Sequence, residues 1–207
     1  MEDRKMKKKL FKTLGIIACA VLLIGGSIAG TYAYLTSTAT TQNTFTVGNV
    51  TITMDETAVD AYGEAIDGAA RTTTQAEPYK LIPGRTYIKD PIIHVDADSE
   101  ACWLFVKIED GISGIQDTKT IATQLADNGW IALGNGTVGV YYHQDIAQAG
   151  ANVTVFEYFK VLGTVANNAL TACAGQSIVV TAYAIQADGF GTAYDAWTAA
   201  SGEFNGN

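Results

Sequence analysis

From residue 43 onward, apolar side chains recur at alternate positions in short runs broken by Gly, Asn, Asp and Pro, the pattern of a chain built from strands. In 43–54, Phe45 and Val47 share one phase and Val50, Ile52 and Met54 the next, and one extra residue at Gly48 and Asn49 would reconcile them as a bulge. The Leu81-Ile82-Pro83-Gly84 stretch predicts a turn, and Ile92, Ile93 and Val95 predict a strand entered by Pro91, where a missing N–H removes no ladder bond. The strongest strand is 102–108: Cys102, Leu104, Val106 and Ile108 face one way and Trp103 and Phe105 the other, so both of its faces should be covered. Further strands are predicted over 130–133, 138–143, 153–162 and 177–186, the last with Val179, Thr181, Tyr183 and Ile185 opposite Val180, Ala182 and Ala184. Ile121 and Leu125, four apart, predict a short helix in 118–127, and a second helical piece, carrying Trp197, spans 193–200. Residues 55–79 are acidic, Ala/Gly-rich and aperiodic, so a mobile surface excursion is expected there. Together these elements predict an all-β fold, a jelly-roll-like β-sandwich with one or two short helices.

The chain starts differently. Arg4, Lys5, Lys7, Lys8, Lys9 and Lys12 precede an apolar run from Leu14 to about Ile28, and small residues then lead to Ala33. This reads as an N-terminal signal peptide helix, cleaved between Ala33 and Tyr34, because the apolar run falls short of the roughly 20 residues of a permanent span. Membrane contact is therefore expected only in the precursor. A pilin-type leader would carry an acidic residue inside the helix, and none occurs between Lys12 and Asp55. The expected organisation is 1–33 signal peptide, 34–48 N-terminal segment and 49–207 a single sandwich domain. From Tyr34 to Met54 no residue is charged and eight of 21 are threonine. Such a β-prone stretch, with no Pro and no charge, lacks the devices that stop an exposed strand from pairing with another chain.

Charge narrows the partners. The expected mature chain keeps 7 of 13 basic and 19 of 21 acidic residues, a formal charge of −12, which disfavours nucleic acid. Chemistry is sparse: His94 and His143 lie far apart on predicted strands, no H-E-x-x-H occurs and no phosphate loop is present, so no catalytic residues and no cofactor are expected. Asp96, Asp98 and Glu100 are a weak Ca²⁺ candidate without EF-hand spacing. Export would permit a disulfide between Cys102 and Cys173, with two small buried thiols as the alternative. Trp103, Phe105, Tyr141, Tyr142, Phe156, Tyr158 and Phe159 could form a carbohydrate-binding row, although core packing is the commoner use of strand aromatics.

A family resemblance runs through several of these segments: Gly30-Thr31-Tyr32-Ala33, Asn43-Thr44-Phe45-Thr46-Val47-Gly48, Leu81 to Thr86 with Lys89-Asp90-Pro91, Ser99 to Lys107, and Thr181 to Gln186. Together they resemble the TasA/camelysin family, secreted bacterial proteins processed by a SipW-type signal peptidase. The resemblance implies a non-enzymatic structural protein of the cell surface or extracellular biofilm matrix, whose main partner is a further copy of itself. It further implies fibres in which the freed N-terminus of one subunit is a donor strand for the next, here Tyr34, Leu35, Thr36, Thr38 and Thr40, leading into Phe45 and Val47. An accessory anchoring or assembly protein remains open. The competing expectations are a monomeric surface adhesin or glycan-binding module and a camelysin-like metallopeptidase.

Overall fold

The computed structural model describes residues 36–40, 44–45, 50–73 and 79–204. The expected signal peptide, the junction of Ala33 and Tyr34, Leu35, Val47 and the bulge at Gly48 and Asn49 lie outside the described residues. Among the described residues the strands are β1 (Thr36–Thr40), β2 (Thr44–Phe45), β3 (Ile52–Asp55), β4 (Thr86–Ile88), β5 (Ile92–Val95), β6 (Cys102–Asp110), β7 (Trp130–Gly134), β8 (Thr137–His143), β9 (Asn152–Thr154), β10 (Tyr158–Lys160) and β11 (Ile178–Gln186). They form antiparallel sheets in the orders β2-β1-β11-β6-β8-β7, β3-β5-β9 and β10-β4. Three short α-helices accompany them, α1 (Ile121–Asp127), α2 (Asn167–Ala172) and α3 (Ala193–Phe204), one more than the sequence pattern predicts.

The long central ladder sets the layers. β6 and β11 pair over their whole length, from Cys102 opposite Gln186 to Asp110 opposite Ile178. Because alternate side chains leave opposite faces of a strand, each supplies two cores. Leu104, Val106, Val180, Ala182 and Ala184 pack with Ile52 and Met54 of β3, Ile93 and Val95 of β5, Tyr87 of β4 and Phe159 of β10. On the opposite face, Phe105, Tyr183 and Ile185 pack with Ala196 and Trp197 of α3. The result is an all-β sandwich whose larger sheet also carries a helix on its outer face. The Trp197 ring lies 5.1 Å from Phe105 and 5.6 Å from Tyr183, the second contact edge-on at 86°.

Local chemistry explains the connections. Thr120 caps α1, its hydroxyl accepting from the Thr123 N–H, while Ile121 and Leu125 are its buried apolar positions. In the Ile82-Pro83-Gly84-Arg85 turn, the Arg85 N–H donates to Ile82 O and Gly84 sits at φ +78°, the left-handed geometry that a type II turn requires at its third residue.

The structure departs from the pattern in three places. The continuous strand expected over 153–162 is broken, because β9 pairs with β5 and β10 with β4, in different sheets. Val155 and Phe156, between them, are both fully buried as the chain crosses from one sheet to the other. The excursion expected over 55–79 is a folded loop through residue 73: Glu56 pairs with Thr72, Val59 bridges Ala65, and Val59 is buried. At Gly63, φ +74°, a Cβ would come within 2.7 Å of Tyr87, so the loop is pressed directly on the core. The extra helix, α2, has no buried residue and no side-chain cap, which is why apolar periodicity did not mark it.

Candidate assembly edge and polar clusters

β11 is an inner strand, buried on both faces, with one edge joined to β6 and the other to β1. Thr36 stands opposite Ile185, Thr38 opposite Tyr183 and Thr40 opposite Thr181, all antiparallel. β2 then returns along β1, with Phe45 opposite Thr38. In the single chain, the segment marked by its lack of charge thus lies in its own subunit's sheet. Main-chain pairing of this kind is indifferent to which copy supplies the strand.

A polar cluster fixes the loop beside β3. Arg71 donates from Nε to Asp55 Oδ1 at 2.6 Å, from Nη1 to Asp90 Oδ2 at 2.8 Å, and from Nη2 to the Asp55 and Asp90 carbonyls. His94 places Nε2 3.1 Å from Asp55 Oδ1 and Nδ1 2.6 Å from Asn152 Oδ1. Partial burial alone would raise the Asp55 pKa, but hydrogen bonds from Arg71 and His94 outweigh it and hold the carboxyl below the usual range. A depressed acid contributes stability that is present above its unfolded pKa and lost as pH falls through its folded one. The protection factors of the Glu56 and Thr72 amides, their exchange relative to the intrinsic rate, should therefore fall on acidification below about pH 4, the ordinary aspartate value. In Arg71→Ala the same amides should exchange about tenfold faster at neutral pH, since a hydrogen bond to a charged group is worth ~1.5 kcal/mol or more. Unchanged protection factors measured by NMR would refute both.

Cys102 and Cys173 are both free thiols, without the disulfide that export would permit. Cys102 pairs with Gln186 at one end of the central ladder, whereas Cys173 precedes the turn that enters β11 at Ile178, the other end. Burial pushes the Cys102 thiol up to about 12, while Cys173 is only half-buried. A maleimide should label Cys173 in the native 34–207 protein and reach Cys102 only on unfolding, as intact-mass measurement would show.

The acidic trio does not converge either. Asp96 Oδ1 accepts from the Asp98 N–H and Asp96 O from the Ser99 N–H, so these residues close a turn. Of the aromatic row, Phe105, Phe156 and Phe159 are fully buried, which removes it as a continuous sugar-binding face. Sequence reasoning passed over Arg71, Glu56, Lys89 and Gln124, whose partners lie far along the chain. Glu56 and Lys89 form a buried ion pair at 2.8 Å with side chains 1% and 7% exposed.

No curated protein and no solved structure matches the chain. The family model described as camelysin metallo-endopeptidase matches residues 5–63. That description implies a metal, and a catalytic zinc needs three protein ligands around one open position. Among the described residues no three His, Cys, Asp or Glu side chains converge in this way. His94 lies in the β3-β5-β9 sheet and His143 in the six-stranded one, so the described residues do not fit a zinc centre. That match covers the N-terminal part of the chain, which is similar there to the camelysin family.

Proposed function

We propose that this is a secreted structural protein that assembles into extracellular matrix fibres when the freed N-terminal strand of one copy replaces β1 in the sheet of the next. The observation that carries this reading is the seating of Thr36–Thr40 along the edge of β11. The strand is short and uncharged, and it is joined to the sandwich through the two-residue β2, so its exchange leaves the long central ladder intact. A copy that receives a neighbour's strand while lending its own makes a head-to-tail contact that does not close, which generates filaments. Removal of the leader by a SipW-type peptidase is the switch, since a tethered N-terminus cannot thread into another subunit. The acidic mature chain adds self-repulsion, so added salt should speed assembly.

The test compares protein 34–207 with protein 43–207 by electron microscopy and sedimentation. Fibres are expected only from the longer chain. Fibres from both, or a longer chain that stays monomeric when concentrated, would sink the proposal. Thr38→Pro should also abolish fibres, because proline cannot donate to the ladder opposite Tyr183. The family description favours a peptidase as the second reading. Chelator-sensitive cleavage of casein by fibre-free 34–207 protein would support it.

A further inference from the structure

Helix α2 and the turn that leads from it into β11 roof a cavity of about 520 Å³. Leu81, Ile112, Leu170 and Ile178 supply apolar walls, and Phe159 packs there edge-on to Tyr79 with centroids 5.2 Å apart. Lys89 also lines this space, although its side chain is nearly sealed from solvent. Its ammonium donates to Glu56 Oε2 at 2.8 Å, while the equally buried Glu56 Oε1 has no hydrogen-bond partner among the described residues. An ammonium carries three donors and a carboxylate accepts at both oxygens, so the pair keeps unused capacity in a place where leaving it unused is costly. The roof is light: no residue of α2 is buried and Ala166 provides no side-chain cap. The volume falls among small-molecule sites, which span roughly 300–1,000 Å³.

We propose that this cavity binds a small neutral amphiphile with a hydroxyl head, such as an alkylphenol or a medium-chain alcohol. The hydroxyl oxygen accepts from Lys89, whose bond to Glu56 is kept, while the hydrocarbon lies against Leu81, Ile112 and Leu170. The ion pair is already charge-balanced, so a carboxylate head would add an unmatched negative charge near Glu56 and an ammonium head an unmatched positive one beside Lys89, and a bare hydrocarbon would leave the Lys89 donors unused. This site stands apart from the β1 edge and does not depend on fibre formation.

Cys173 lines the same cavity and serves as the reporter. The experiment follows maleimide labelling of Cys173 in 34–207 protein with 4-butylphenol, butylbenzene, 4-butylbenzoate or 4-butylbenzylamine. 4-Butylphenol should protect saturably, about tenfold at ten times its Kd, with the charged probes ineffective at the same concentration and butylbenzene weaker. In Glu56→Leu/Lys89→Met the preference for the phenol over butylbenzene should vanish. Leu170→Trp, which fills the cavity from α2, should abolish protection altogether and remains decisive if the double variant does not fold. No protection by 4-butylphenol, equal protection by all four probes, or undiminished protection in Leu170→Trp would overturn the proposal.

Discussion

Lys89→Met is expected to destabilise the domain by about 3–5 kcal/mol, the usual consequence of removing one partner from a buried ion pair. Glu56 is 1% exposed and has Lys89 as its charged neighbour at 2.8 Å, so the substitution leaves a carboxylate buried without compensation. Glu56 also anchors the start of the folded loop, its N–H and C=O both paired with Thr72, so the damage should spread to that loop. For a domain of this size the midpoint of thermal unfolding should fall by on the order of 10 °C. Removing both charges together in Glu56→Leu/Lys89→Met should restore most of the loss, because an apolar pair of similar volume avoids the desolvation of two ions. Calorimetry of the two singles and the double closes the cycle. A Lys89→Met protein as stable as the parent would show that the pair carries no such penalty.

The second large effect is expected at Gln124, a buried residue of α1. Its Oε1 accepts from the Glu157 N–H at 3.1 Å and the Tyr158 N–H at 3.3 Å, and its Nε2 donates to Tyr158 O at 2.8 Å. These backbone groups sit where the chain crosses from β9 to β10 and changes sheets, so the side chain of a helix replaces the strand neighbour they lack. Gln124→Leu preserves the approximate volume and strips all three partners at once. With each buried group left unpaired costing ~1–3 kcal/mol, a total loss of roughly 3–5 kcal/mol is expected after local relaxation. Gln124→Glu keeps the acceptor and loses the donor, so it should fall between. Urea unfolding gives the magnitude, and amide exchange at Glu157 and Tyr158 gives the place. A large loss of stability without faster exchange there would assign the effect to packing instead.

The crossing at Gln124 also shows why one strand was misread. Val153, Val155, Phe159 and Val161 share a phase, and a single strand over 153–162 satisfies that pattern locally. Which neighbours are available to pair is a tertiary matter, and β5 accepts only the first part while β4 accepts the second. The loop at 56–73 failed for a related reason. Its order comes from Arg71 reaching back to Asp55 and forward to Asp90, contacts that no periodicity encodes. Helix α3 was legible from Ala193 to Ala200 but continues to Phe204, whose ring lies 4.6 Å from Tyr183 and 5.4 Å from Trp197.

What the amino-acid order determined by itself is local: the period-two alternation, the apolar character of both faces of β6 and β11, the Ile121 and Leu125 spacing of α1 and the uncharged character of the N-terminal segment. Each depends on neighbours two to four residues away and survives any arrangement of the rest. Only the tertiary structure decided that this segment lies along β11, that Glu56 and Lys89 share one buried site, and that Cys102 sits at the end of the central ladder opposite the one by which the chain from Cys173 enters it. Those outcomes depend on which buried donors, acceptors and charges meet across the fold, and that requirement is met by residues tens of positions apart.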